Sequence, residues 1–110
     1  GDPAMPGLTP IAAARALLAA HDIAPAAIAV AEIMEAFAAQ AIACIEGIGL
    51  APGSVNRGGG ALARGHPIGA SGAILAVRLW HEMQHEPSGA KGLAAIAAAG
   101  GLGSALLVTS

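Results

Sequence analysis

Two stretches carry spacing with chemical meaning. His81-Glu82-Met83-Gln84-His85 spells H-E-x-x-H. On a helix, that spacing puts two imidazoles on one face, where they can hold zinc while the glutamate activates water. A catalytic zinc also needs a third protein ligand, and no His, Asp, Glu or Cys follows Glu86. Asp22, Glu32 and Glu46 lie upstream and would serve only in an unusual fold. The plainer reading is a polar helix end beside Pro87, so no metal is expected. The second stretch is Gly65-His66-Pro67-Ile68-Gly69-Ala70-Ser71-Gly72. Its glycines allow tight turns and close approach of a ligand. It runs into a helix start, where free N–H groups attract anions. His66 could donate a hydrogen bond or shuttle a proton, or it could be a loop histidine facing water. Composition leaves both readings open. The stretch lacks the G-K-[ST] of a phosphate-binding P-loop.

Two further groups are weaker. Glu32-Ile33-Met34-Glu35-Ala36-Phe37 places acids where they would favour the dipole of a following helix. Cys44 falls on an apolar helix face and reads as a small buried hydrophobe.

The elements that must position these groups follow from periodicity. Thr9-Pro10 opens a helix that runs to Ala20. Positions 28–33 read as a short buried strand. Phe37, Ala41, Cys44, Ile45 and Ile48 recur at helical spacing, which predicts a helix over 34–48. Val55-Asn56 could begin a strand before Gly58-Gly59-Gly60, and the stretch from there to Gly69 reads as a glycine-rich loop. Positions 71–84 predict a second strong helix, with Ile74, Leu75, Arg78 and Leu79 along it. Runs at 93–98 and 105–108 have strand length, and their short link at Gly100-Gly101-Leu102-Gly103 requires antiparallel pairing. The expected architecture is a layered α/β domain over residues 1–110, with mostly buried strands.

Composition excludes several classes. The chain has 110 residues, 55% hydrophobic and 11% charged, with a net charge of −2. Disorder needs the opposite balance. Five Lys and Arg, never clustered, argue against nucleic acid as a partner. One cysteine forms no internal disulfide and fits a reducing compartment, so a cytoplasmic location is expected. The longest apolar run, 92–108, is interrupted by glycines and falls short of a membrane span. Phe37 and Trp80 are the only aromatics. A core of such small side chains buries little area per residue. The chain is therefore expected to pack against something else, either more of a longer chain or another copy.

Read together, these segments resemble the C-terminal half of the thiolases, the acyl-CoA acyltransferases. Val55-Asn56-Arg57-Gly58-Gly59-Gly60-Ala61-Leu62-Ala63-Arg64-Gly65-His66-Pro67-Ile68-Gly69-Ala70-Ser71-Gly72-Ala73 is similar to the family's V-N-x-N-G-G-A-[IL]-A-x-G-H-P-[IL]-G-A-[ST]-G-A. Glu32 to Ala38 resembles E-x-N-E-A-F-A. Asp2-Pro3 with Met5, Gly7 and Pro10 resembles D-P-x-x-M-G-x-G-P, and 92–103 resembles G-L-A-x-x-C-x-G-G-G-x-G. The resemblance covers essentially the whole chain in order, and it accounts for His81-Glu82-Met83, since thiolases often carry a similar helix end.

The resemblance implies acyl transfer through a cysteine thioester, with acyl-CoA as substrate and no other cofactor. The nucleophilic cysteine belongs to the family's N-terminal half, so that half, or a homo-oligomer, is the implied partner. His66 matches the histidine that helps activate the nucleophile and donates to the thioester oxygen, a contribution of about 3–4 kcal/mol for such a donor. Gly65, Ala36 and Phe37 are the implied substrate-binding neighbours. Three polar family positions are altered. Met34 stands where an asparagine holds a water, Ala97 where a second cysteine acts as acid and base, and Gly58 where an asparagine follows V-N-x. Ala99 also replaces the first glycine of the last motif. Loss of acid–base chemistry costs a factor of about 10² to 10⁴. The isolated chain is thus expected to be inactive, with a non-catalytic interaction module of the same fold as the alternative. The implied fold is a mixed five-stranded sheet with helices on its faces, expected to lack its first strand, because the family has a strand before the Asp-Pro segment.

Overall fold

The computed structural model describes residues 1–110. Helix α1 spans Thr9–Ala20, strand β1 Ile28–Ile33 and helix α2 Ala38–Ile48. A single helical turn, α3, covers Ala61–Arg64 inside the stretch read from sequence as loop, and α4 spans Ser71–Met83. Strands β2 (Lys91–Ala98) and β3 (Leu102–Thr109) complete the chain. The sheet has the order β1-β2-β3. β1 pairs parallel with β2, and β2 pairs antiparallel with β3, as the short link demands.

Strand alternation sorts side chains into two layers. Ala31 and Ile33 of β1, with Leu93 and Ala95 of β2, pack against α1 and α2 through Ala14, Leu18, Cys44 and Ile48. Val30 and Met34, with Ala94, pack on the other face against Leu75, Leu79 and Met83 of α4. The result is helix, sheet, helix. Met83 lies beside Gly92 at the start of β2, so α4 runs against the strands and its first turn sits at the carboxyl ends of β1 and β2.

The sheet is mixed, and it has three strands. Val55, read as the start of another, makes a single parallel bridge to Ala31. The strand stops there because Asn56 turns into the left-handed region at φ +48°. The segment 34–37 also departs from the helix its spacing predicts. The Met34 N–H donates to the Ala95 carbonyl at 3.0 Å, prolonging the strand ladder. Phe37 stays extended at φ −146° and ψ 149°, so α2 begins at Ala38. Glu32 lies inside β1, within the strand read from sequence, so it does not serve the dipole of the following helix.

The α1 layer is fixed to β3 by close backbone approach. The buried Thr9 hydroxyl lies 2.6 Å from the Leu102 carbonyl and 2.8 Å from the Pro6 carbonyl. A Cβ at Gly103 would stand 2.6 Å from the Thr9 carbonyl oxygen, whereas one at Gly72 would meet nothing within 4 Å. Gly103→Ala is therefore expected to lower stability by about 1–3 kcal/mol through forced separation of α1 from β3. Gly72→Ala, inside a helix, should raise it by about 0.5–1 kcal/mol. Urea-unfolding midpoints of the two variants test this contrast.

Candidate active site

The carboxyl end of β1, the 56–70 segment and the first two turns of α4 converge on a cleft of about 250 Å³. Met34, Ala61, Arg64, Gly65, Pro67, Ser71, Ile74, Leu75 and Arg78 line it. The 56–70 segment is held in place by one side chain. The Ile33 N–H donates to Asn56 Oδ1 and Asn56 Nδ2 donates to the Ile33 carbonyl, both at 2.9 Å. The Asn56 N–H donates to the Ala31 carbonyl at 2.8 Å. Asn56 Nδ2 also donates to Glu35 Oε1 at 2.8 Å, and Glu35 Oε2 accepts the Leu62 N–H at 3.0 Å. Glu35 thereby ties the end of β1 to α3. Gly60 leaves room for that carboxylate, which a Cβ there would overlap.

His66 sits on the cleft rim, between the lining residues Gly65 and Pro67, and is exposed. Gly65 takes φ +94°, which glycine adopts without the penalty other residues bear. The His66 ring does not hang free, because Nδ1 lies 2.5 Å from Ser71 Oγ. Ser71 Oγ in turn lies 3.0 Å from the Pro67 carbonyl.

Of the remaining sites read from sequence, Met34 is buried in the cleft floor and Gly65 lines the wall. Ala97 lies near the carboxyl end of β2, two residues past the Ala95 that pairs with Ile33. Ala36 and Phe37 are on the surface outside the cleft lining, with Phe37 73% exposed. His81 and His85 do not share a helix face, because α4 ends at Met83. The His81 ring stands edge-on to Trp80, and no three His, Cys, Asp or Glu side chains gather to hold a metal. Cys44 is buried, with its thiol between Gln40 and the Gly7 carbonyl. Burial pushes that thiol above its ordinary value, against the thiolate form, opposed in part by the Gln40 hydrogen bond.

One pair escaped the sequence reading. Glu32 is fully buried on the α4 face, with Arg78 Nε 3.4 Å from Oε2. Arg78 also reaches towards Glu82 at 3.7 Å. Its guanidinium fills the space beside Gly58 that a side chain would need. The missed signal was Arg78 on the helix stripe that also carries Leu75 and Leu79: a charge on a buried face calls for an opposite charge across the interface.

The comparisons agree on one family. A family described as "Thiolase, C-terminal domain" matches residues 1–110. An acetyl-CoA acetyltransferase of Cupriavidus necator is 44% identical over 107 residues, which are 97% of this chain and 27% of that protein. The solved Acat5 thiolase of Ascaris suum, in complex with coenzyme A, superposes with a TM-score of 0.91 at 39% identity, covering 99% of this chain and 28% of that one. The peroxisomal 3-ketoacyl-CoA thiolase of Saccharomyces cerevisiae, a five-layered structure of two core domains of identical topology, gives 0.85 at 34% identity over 94% of this chain and 29% of its own. The fold and the glycine-rich histidine loop thus define a thiolase-type α/β domain. The chain belongs to the thiolase family and corresponds to its C-terminal domain. It spans under a third of the length of these relatives.

Two outcomes follow. Asn56→Ala strips partners from the Ile33 backbone and Glu35, and should cost about 1–3 kcal/mol. The Ile33 amide should lose hydrogen-exchange protection more than amides of β3. Glu32 gives a pH dependence. Burial raises its carboxyl above the ordinary 4.5, opposed in part by the Arg78 and Arg64 charges. Above that ordinary value the folded chain keeps a proton that the unfolded chain has released, so stability falls as pH rises towards the raised value. Unfolding free energies taken from about pH 4 upwards should show this decline in the parent chain and not in Glu32→Gln.

Proposed function

We propose that this chain is the C-terminal half of a thiolase-like acyl-CoA acyltransferase. It would contribute His66 to a coenzyme A thioester site whose nucleophilic cysteine comes from an N-terminal thiolase half. The observation that carries this is the exposed His66 imidazole, oriented by Ser71 at a cleft mouth, in a chain whose only thiol is buried. The outer face of α4 fits the partner: Ile74, Val77 and Trp80 are exposed there on a helix whose opposite face is core.

In the proposed step the imidazole takes the proton of the partner's cysteine. The sulfur attacks the acyl carbonyl, the carbon–sulfur bond to coenzyme A breaks, and the imidazolium returns the proton to the leaving thiolate. Met34 gives the cleft an apolar floor with no hydrogen-bonding group equal to an amide. Ala97 has no proton to exchange at a substrate carbon. Acylation is therefore the step this chain is equipped to support, and carbon–carbon bond making or breaking is the step it would slow.

Mixed with acetoacetyl-CoA and coenzyme A, the isolated chain should show no thiolysis. Co-expressed with an N-terminal thiolase half and given acetyl-CoA, the complex should acquire an acetyl group on the partner's cysteine, read by mass spectrometry. His66→Ala should slow that acylation by about 10²-fold or more. Turnover by the chain alone, or acylation indifferent to His66→Ala, would overturn the proposal. The loss of polar groups at Met34 and Ala97 favours a second reading, a non-catalytic module that pairs with a thiolase half or itself. No calorimetric heat with coenzyme A, together with dimers in ultracentrifugation, would select it.

A further inference from the structure

The structure assigns Ser71 as a positioning residue for His66, selecting which ring nitrogen carries the lone pair. The inference rests on the catalytic role proposed above for the imidazole. Ser71 is the first residue of α4 and only 3% exposed, so its hydroxyl has no ready access to solvent. Two protein atoms are within its reach, His66 Nδ1 at 2.5 Å and the Pro67 carbonyl at 3.0 Å. A hydroxyl has one hydrogen and two lone pairs. If that hydrogen points to the Pro67 carbonyl, the oxygen accepts from Nδ1–H and Nε2 keeps the lone pair. If it points to Nδ1, Nε2 carries the hydrogen and cannot take a proton.

The first arrangement serves a base at no reorganisation cost. Protonation at Nε2 gives an imidazolium whose Nδ1–H already donates to Ser71, and the hydroxyl keeps its bond to Pro67. The second leaves only Nδ1 basic, and that nitrogen is turned to the hydroxyl, away from a reacting group. The loop geometry supports the first. The Ser71 hydroxyl is placed to donate to the Pro67 carbonyl at 3.0 Å, an oxygen it shares with the Ala70 and Ser71 N–H groups at 2.9 Å. Groups oriented before reaction are those that lower a barrier most. The hydroxyl is therefore needed as an acceptor towards the ring and a donor towards the backbone.

The test is ring-nitrogen NMR on the ¹⁵N-histidine-labelled chain above the imidazole titration. The parent chain should show a protonated Nδ1 and a bare Nε2 at His66. Ser71→Ala should lose that pattern, and Ser71→Thr, which keeps the hydroxyl, should restore it. In the complex with an N-terminal thiolase half, Ser71→Ala should also slow cysteine acylation about tenfold, with Ser71→Thr close to the parent. A bare Nδ1 in the parent chain, or an unchanged pattern in Ser71→Ala, would overturn the assignment. Should Ser71→Ala fail to fold, the parent and Ser71→Thr spectra decide it, because a bare Nδ1 in either one is fatal. A Ser71-dependent ring pattern in a complex that never acylates would uphold the positioning role while removing the catalytic reading beneath it.

Discussion

The site depends on one amide side chain standing in for a strand. Asn56 meets both backbone groups of Ile33, the last residue of β1, and gives its own N–H to Ala31. A further strand would offer the same bonds along that edge, but it would continue in the strand direction. The asparagine satisfies the edge and lets the chain turn away at once, because Asn tolerates the left-handed conformation it takes here. The consequence is a glycine-rich segment anchored at its root and free to rise over the carboxyl ends of the strands. Open α/β sheets bind ligands at those ends.

Charge reinforces that anchor. Glu35 accepts from Asn56 on one oxygen and from the Leu62 N–H on the other, so a single carboxylate spans β1 and α3. Beneath it, Glu32 is the sole acid wholly inside the protein, and Arg78 faces it across the sheet–helix interface. Gly58 makes that approach possible, because a Cβ there would meet the Arg78 guanidinium. An asparagine side chain at that position would compete with the guanidinium for the same volume. Gly58 thus belongs to the support of the cleft, while Met34 forms its floor.

Much of the fold was legible because local and global preferences agree. The 28–33 run is apolar and short, and it forms β1 over those residues. Thr9-Pro10 starts α1 at the expected place. The link between the last two strands left only antiparallel pairing. Legibility failed where tertiary bonds overrode periodicity. Phe37 fits the spacing of the α2 stripe, but the Met34 N–H is taken by Ala95 and the segment stays extended. Val55 looked like a strand because nothing in the sequence reveals that Asn56 will spend its side chain on Ile33. The histidine loop was legible as a motif, whereas its hydrogen bond to Ser71 depends on a turn geometry that letters do not contain.

Trp80 has a consequence of a different kind. It is the only tryptophan, 58% exposed on the outer face of α4, and its indole meets the His81 imidazole edge-on with centroids 4.9 Å apart. The intrinsic fluorescence of the molecule therefore originates at a single place, and that place is the face with no covering layer. Its emission maximum reads whether water or protein lies over the helix. The chain carries its own optical reporter of assembly, with no label to introduce.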